Sequence, residues 1–216
     1  MRCRHRLLRA AGRPFAAGRE TVFPCGPPFF GSPHPDPDRH HLIHALCDAY
    51  ADGAVGAGHT VSRINISDFD IACLHTPAEI TEPPPEPILS EREKIGAADH
   101  LVIAFPLWMG GMPAKLKAFF EQAARGGYFV KMEGDGWPEQ MMKGKTARVL
   151  VSMAMPGPVY RFGMDEGALK ALERGILGLS GFKQVHHTLI GGAQRLSSDD
   201  VRSWQTYCRK IGDEGA

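Results

Sequence analysis

The sequence predicts one three-layer α/β domain built on a parallel sheet. Short apolar runs without polar alternation occur at residues 101–105 (LVIAF) and 148–151 (RVLV), as is typical of strands that are covered on both faces. Amphipathic helical stripes lie between and around these runs, so strands and helices alternate along the chain. Right-handed crossovers bring successive strands into one sheet, and ligands bind beyond the carboxyl ends of such strands.

Composition is consistent with a single folded domain. Of the 216 residues, 43% are hydrophobic and 23% are charged, which is close to the average for a globular protein. The net charge of +1 gives no electrostatic reason to expect a nucleic acid partner, and no apolar stretch approaches the roughly 20 residues that span a bilayer. The five cysteines form no C-x-x-C pair, so we expect no metal site and a reducing, cytoplasmic location.

The N-terminal segment differs from the rest of the chain. Residues 1–20 contain six arginines and one acidic residue, which predicts a disordered extension before a single domain over residues 21–216. An organelle transit peptide is the alternative, although the segment contains no serine. The opening strand is expected at residues 21–31, but Pro24, Pro27 and Pro28 predict that it is irregular.

The later elements follow in order. Apolar residues at i, i+3, i+4 and i+7 predict a helix from about residue 39, which Gly53, Gly56 and Gly58 would end. We then expect a strand at 59–66, a proline-rich loop at 72–87, and helices at 90–98, 115–124 and 169–179. A last strand at 185–190 precedes a closing helix that begins with a capping box of Ser197 and Asp200.

Two of the strand-end loops suggest ligand binding by their composition. Residues 31–38 (GSPHPDPD) precede a helix whose N-terminus could hold a phosphate, although a plain turn also explains them. In residues 105–113 (FPLWMGGMP), Gly110 and Gly111 let the backbone approach a ligand, and Trp108 with Met109 suits a flat ring. A corner that only packs the core is the alternative for this loop.

A third loop, residues 152–160 (SMAMPGPVY), is rich in small residues and backbone N–H groups and ends at Tyr160. An ordinary Pro-Gly loop is the alternative. Because the three loops should converge at one sheet edge, together they predict a slot for a flavin, whose phosphate would lie at the first helix and which would supply the redox chemistry.

Several segments then identify a resemblance. The runs FPLWMGGMPAKLKAFFEQ, HALCDAYADGA and ALERGILGLSGF, with the closing helix, resemble the flavodoxin-like NAD(P)H:quinone oxidoreductases over residues 31–212. The resemblance implies a flavodoxin-like doubly wound sandwich with a five-stranded parallel sheet of order 2-1-3-4-5. It also implies a homodimer that binds FAD, with FMN as second choice, and reduces quinones by ping-pong hydride transfer from NADH or NADPH.

The resemblance also implies the site residues. Those expected along the cofactor phosphates are His34, His41, Leu42 and Ile43. Those expected at the isoalloxazine ring are Pro106, Leu107, Trp108, Met109 and Gly110, and those expected to offer amides are Ser152, Met153, Ala154 and Met155. Tyr160 would donate a hydrogen bond beside the ring. Glu166 takes the place of a family histidine that stabilises the reduced flavin, and a carboxylate there would repel negative charge.

Two alternatives remain open from the sequence. Relatives of this fold also serve as regulatory flavin-binding subunits of potassium-efflux transporters. A degenerate member is the other possibility, in which the proline-bearing first strand impairs cofactor binding. Azo and nitro compounds are further acceptors that the same pocket could reduce.

Overall fold

The computed structural model describes residues 20–25 as backbone, and residues 42–68, 70–132, 134 and 136–215 with their side chains. A parallel five-stranded sheet lies at the centre of this part of the chain. Its strands are β1 (Glu20–Cys25), β2 (Thr60–Asn65), β3 (His100–Pro106), β6 (Thr146–Ser152) and β7 (Gln184–Ile190), in the spatial order β2-β1-β3-β6-β7. A short antiparallel pair is formed by β4 (Val130–Lys131) and β5 (Glu139–Gln140).

Helices cover both faces of the sheet, which confirms the predicted three-layer α/β class. They are α1 (Leu42–Gly56), α2 (Ile88–Ala97), α3 (Ala114–Ala123), α4 (Gly167–Lys170) and α5 (Ser198–Asp213). A π-helical stretch, Ala171–Gly178, continues α4, and the predicted loop at 72–87 contains a 3₁₀ turn at Pro77–Thr81. Within the described residues no helix has the length and apolar character needed to cross a membrane.

The first strand forms despite its proline. β1 pairs with β2 along its whole length, from Glu20 opposite Thr60 to Cys25 opposite Asn65. Its pairing with β3 is interrupted, since Phe23 and Pro24 have no partner residue there. A proline has no N–H to donate, which explains the gap on the β3 side. The strand is therefore irregular, as predicted, yet it occupies a central position. Residues 26–31 of the predicted segment lie outside the described residues.

Two apolar clusters fill the space between the layers. One lies on the side of α2, α3 and α4 and includes Ile103, Phe119 and Leu172. The other lies under α1 and α5 and includes Leu46 and Cys208. β3 and β6 are buried along their entire length, as their unbroken apolar sequences predict.

Helices α1 and α5 cross at unusually short range because glycines occupy the contact. A Cβ atom on Gly53 would lie 1.9 Å from the Arg209 carbonyl oxygen, and one on Gly212 would lie 2.1 Å from the Tyr50 carbonyl oxygen. The prediction that Gly53 helps to end the first helix was wrong, because the helix continues to Gly56. The glycine is needed for close packing instead. The predicted capping box of Ser197 and Asp200 at the start of α5 is confirmed.

Candidate functional site

The carboxyl ends of β3 and β6 lie side by side at the centre of the sheet. Pro106 is paired with Ser152 at the last position of both strands. The Leu107 N–H then donates a hydrogen bond of 2.7 Å to the Ser152 carbonyl oxygen, which joins the loop after β3 to the loop after β6. Two of the three loops predicted to converge are thus adjacent. The third, at residues 31–38, lies outside the described residues.

The loop after β3 forms a tight turn over residues 108–111. The Trp108 N–H donates to the Gly111 carbonyl oxygen at 2.9 Å, and the Gly111 N–H donates back at 2.7 Å. The two central residues both have positive φ, 47° at Met109 and 76° at Gly110, which is the geometry of a type I′ turn. Glycine adopts this conformation without strain, whereas a methionine does not.

Met109 combines this backbone strain with complete exposure of its side chain. Trp108 beside it is half-buried. A strained conformation persists where the surroundings enforce it, and such residues cluster at ligand sites. A fully exposed methionine next to a tryptophan offers polarizable apolar surface that water covers poorly. The turn is therefore the feature of the strand-end edge that is best suited to contact a flat ring.

The loop after β6 offers backbone donors next to this turn. The Ala154 and Met155 N–H groups make no hydrogen bond within the described residues. The Met155 carbonyl oxygen accepts from the Gly192 N–H at 3.0 Å, so the loop after β7 supports this loop from behind. That support needs a glycine, because a Cβ on Gly191 would lie 2.4 Å from the Gly157 nitrogen. The sequence reasoning did not use the Gly191-Gly192 pair, although its place after a strand was a usable signal.

A further segment, residues 159–166, lies against the turn. A Cβ on Gly110 would lie 2.7 Å from Met164 Cε, so these two segments are in contact. Asp165 and Glu166 each have a φ of 52°, and with Met109 they are the non-glycine residues with positive φ in the described part of the chain. All such strain is therefore found on two adjoining loops. Phe162, in the same segment, is exposed over 83% of its surface.

Glu166 forms an ion pair within this segment. Its Oε1 accepts a hydrogen bond of 2.8 Å from Arg161 Nε. The carboxylate side chain is 15% exposed and the arginine side chain is 54% exposed, so the acid is the inner member of the pair. Sequence reasoning selected Glu166 and missed Arg161, because nothing in the sequence marks a pairing five residues apart across a left-handed bend.

The structure places Tyr160 inside the core rather than on the open face of the loops. The side chain is fully buried in the core, where its hydroxyl oxygen accepts a hydrogen bond of 3.2 Å from the Leu169 N–H. Burial raises the pKa of Tyr160 above its usual range. The side chain therefore contributes no exposed surface to the loop edge. Its hydroxyl instead satisfies a backbone N–H in the first turn of α4.

Other predicted residues also point inward. Pro106, Ser152 and Met153 are buried, and the Met153 N–H, which was expected to face the flavin, donates to the Ile190 carbonyl oxygen at 2.9 Å. Ile43 is buried in the core and Leu42 packs against the same cluster, so only their backbones could face a phosphate. His34 and His41 lie outside the described residues. The residues that the structure brings to one open surface are Leu107, Trp108, Met109, Gly110, Ala154 and Met155.

A cavity of about 510 Å³ lies elsewhere, between the edge strand β7 and α5. Its lining includes His187, Trp204 and Tyr207, and Nδ1 of His187 lies 2.9 Å from Glu173 Oε1. His186 and His187 both lie on this edge strand. The cavity faces the middle of a strand, whereas ligands of parallel α/β sheets bind beyond the strand ends. The loops after β3 and β6 are therefore the better candidate site.

The open surface has the donor set that a flavin requires. The two neighbouring amides of Ala154 and Met155, which have no hydrogen-bond partner among the described residues, can donate to the carbonyl oxygens of a ring, and the turn at Met109 presents apolar surface to its face. A Cβ on Gly157 would meet nothing within 4 Å, so the backbone after these amides is open on that side. These groups lie at the carboxyl edge of a doubly wound sheet, which is where proteins of this architecture bind their ligands.

Comparison with known proteins identifies the family. Residues 32–211 match the family of flavodoxin-like fold proteins described as Flavodoxin_2, and the chain belongs to this family. An FMN-dependent NADH:quinone oxidoreductase of Bordetella petrii is 31% identical over 117 residues, which are 51% of this chain and 56% of that protein. The chain thus spans about half the length of the curated relatives it matches.

Solved structures share the fold. An NAD(P)H:quinone oxidoreductase from Methanothermobacter marburgensis superposes with a TM-score of 0.73 at 22% identity, over 91% of this chain and 96% of that one. An FMN-dependent NADH-azoreductase from Bacillus anthracis, solved in complex with FMN, gives a TM-score of 0.70 at 13% identity, over 92% and 99% of the two chains. At these identities the likeness establishes the flavodoxin-like architecture alone.

Proposed function

We propose that this protein is an FMN-dependent oxidoreductase that reduces quinones with NADH or NADPH. Three observations support the proposal: membership of the flavodoxin-like family, the names of the partly matching relatives, and an open surface suited to a flavin ring. The sequence resemblance placed FAD first and FMN second. We now place FMN first, because the relatives that match are named as FMN-dependent.

The observation that carries the proposal is the strained and fully exposed Met109 beside two amides that have no hydrogen-bond partner in the part of the chain that the structure describes. Structural packing alone does not account for it, since a glycine would relieve the strain and an exposed methionine buries nothing. A ring placed on the turn would cover this side chain and accept hydrogen bonds from the loop after β6.

The residues of this chain bind and orient, while a bound flavin would supply the transfer of a hydride from the nicotinamide to the acceptor. Trp108 and Met109 would hold one side of the ring. The Ala154 and Met155 N–H groups would donate to its polar edge. Tyr160 supports the site from within, because its hydroxyl fixes the start of α4 and so the segment that contacts Gly110.

A direct test begins with the full chain purified from cells. We expect a yellow protein whose released chromophore co-migrates with FMN on chromatography, and which oxidises NADH or NADPH when a soluble benzoquinone is added. Bound FMN with no turnover of any quinone is the result expected of a regulatory subunit. Protein that neither contains nor takes up FMN or FAD would refute the proposal and would favour the degenerate member.

The remaining parts of the proposal concern kinetics and assembly. We infer ping-pong kinetics and a homodimer from the same resemblance. Parallel double-reciprocal lines for NADH at several quinone concentrations would support the first. Light scattering that gives twice the chain mass of 23.6 kDa would support the second.

A further inference from the structure

The Arg161–Glu166 pair is a charged feature beside the strained turn that the proposed function leaves without a role. The two residues lie on the segment that contacts Gly110 through Met164. Glu166 adopts a left-handed conformation, and a neighbouring residue, Asp165, does so too. A sequence that keeps two consecutive non-glycine residues in this region stores strain there, which is typical of functional sites.

The geometry of the pair sets its electrostatic character. Glu166 is the more buried member, at 15% side-chain exposure, and its Oε1 is held 2.8 Å from Arg161 Nε. Left alone, this carboxylate would place a negative charge on the segment that touches the turn proposed to hold the ring, and the ring becomes negative when it accepts a hydride. The charges of the pair cancel when both are present, and partly buried charges are screened by solvent less than exposed ones.

We propose, resting on the proposed flavin site, that Arg161 is a positioning residue which neutralises and holds Glu166, so that the pair sets the reduction potential of the bound flavin. Hydride transfer moves two electrons and one proton from the nicotinamide to the ring and leaves one negative charge on it. Arg161 prevents the carboxylate of Glu166 from opposing that charge. Neither residue exchanges a proton in this step.

Charge arithmetic gives three different expectations. Arg161→Gln leaves the uncompensated carboxylate, so the ratio of reduced to oxidised flavin at a fixed potential should fall about tenfold, or about 30 mV for a two-electron couple. Glu166→Gln leaves an uncompensated guanidinium, so the ratio should rise by a similar factor. The double variant Arg161→Gln/Glu166→Gln is again neutral, and its ratio should return to within about twofold of the wild type.

The neighbouring Lys170–Asp165 pair provides a matched control. Asp165 lies on the same segment and Lys170 lies in the adjoining helix α4; the pair is also hydrogen-bonded, but Asp165 is 88% exposed. Solvent screens such a charge strongly. We therefore expect Lys170→Gln and Asp165→Asn to change the ratio by less than about twofold.

The experiment equilibrates each FMN-loaded full-length variant with a reference dye and reads both by absorbance. Bound FMN is quantified first for every variant, so a failure to bind flavin would refute the proposed function and this inference with it. If flavin binds but Arg161→Gln gives the same small change as Lys170→Gln, the inference is wrong while the proposed function stands. A double variant that stays as low as Arg161→Gln would also overturn it.

Discussion

Replacing Met109 with glycine should stabilise the protein and weaken flavin binding at the same time. A non-glycine residue in the left-handed region costs about 1–2 kcal/mol, and Met109 has a φ of 47°. Glycine loses about 0.5–1 kcal/mol of that gain to the entropy of the unfolded chain. The Met109 side chain is fully exposed, so its removal sacrifices no burial. The net expectation is a gain of about 0.5–1 kcal/mol in the free energy of unfolding.

The flavin affinity should move the other way. A ring that covers about half of an exposed methionine removes some tens of Å² of apolar surface from water, worth about 1 kcal/mol, or about fivefold in Kd. Urea unfolding of the flavin-free protein measures the first quantity, and fluorescence titration with FMN measures the second.

Met132 supplies the control for this experiment. It is 67% exposed but lies outside the candidate site and has no positive φ. Met132→Gly should therefore lower stability by about 0.5–1 kcal/mol and leave the Kd for FMN unchanged. Equal effects of the two substitutions on both quantities would refute the reasoning, because strain relief and ring contact are what distinguish the two sites.

Three further predictions concern the scaffold. Gly53→Ala should lower the free energy of unfolding by at least about 2 kcal/mol, because its Cβ would meet the Arg209 carbonyl oxygen; Gly56→Ala, with open space around it, should raise it by about 0.5–1 kcal/mol in the same urea titration. Tyr160→Phe should lower the free energy of unfolding by about 1–2 kcal/mol, because it leaves the Leu169 N–H without its acceptor, and should leave kcat for quinone within about twofold. A large loss of kcat at unchanged stability would instead indicate that the hydroxyl donates a proton. Burial raises the pKa of the Cys208 thiol from 9.0 to about 12, so its stabilising effect is complete below pH 9 and declines above it. Between pH 8 and pH 10 the free energy of unfolding of the wild type should fall by about 1.4 kcal/mol more than that of Cys208→Ala. Urea unfolding at the two pH values measures both, and an equal fall in the wild type and the variant would contradict this cause.

The sequence was sufficient for the fold class because the strongest signals were local. The apolar runs of β3 and β6 favoured buried strands, and the stripe of Val201, Trp204, Cys208 and Ile211 favoured a closing helix. The first strand was harder to predict, since Pro24 argues against a central strand. It is accommodated because the pairing with β3 skips that position while the pairing with β2 continues.

The role of Gly53 could not be read from local sequence. A glycine late in a helical stripe has the same pattern whether it ends the helix or allows a second helix to approach. The distinction depends on α5, which lies about 150 residues further along the chain, so only the tertiary packing could decide it.

At the candidate site, composition predicted which residue types are present but not the direction in which their side chains point. Composition indicated apolar and glycine residues at the ends of two central strands. The open surface from Leu107 to Gly110 lies at the end of one of these strands, β3. Composition could not show which side chains turn inward. Tyr160 and Met153 are buried because the segments that carry them pack against α4 and β7.

Backbone strain is concentrated where the two loops of the candidate site meet. Met109, Asp165 and Glu166 hold left-handed conformations on two loops that touch each other at Gly110 and Met164. Each such residue costs stability, and a chain that needed only to fold could use glycine at all three positions. A shared function at this contact accounts for the strain at Met109 and Glu166, and Asp165 adopts its conformation in the bend that leads to Glu166. Because the strain is stored on both loops, the turn that would hold the ring and the pair that would tune its charge are best understood as parts of one site.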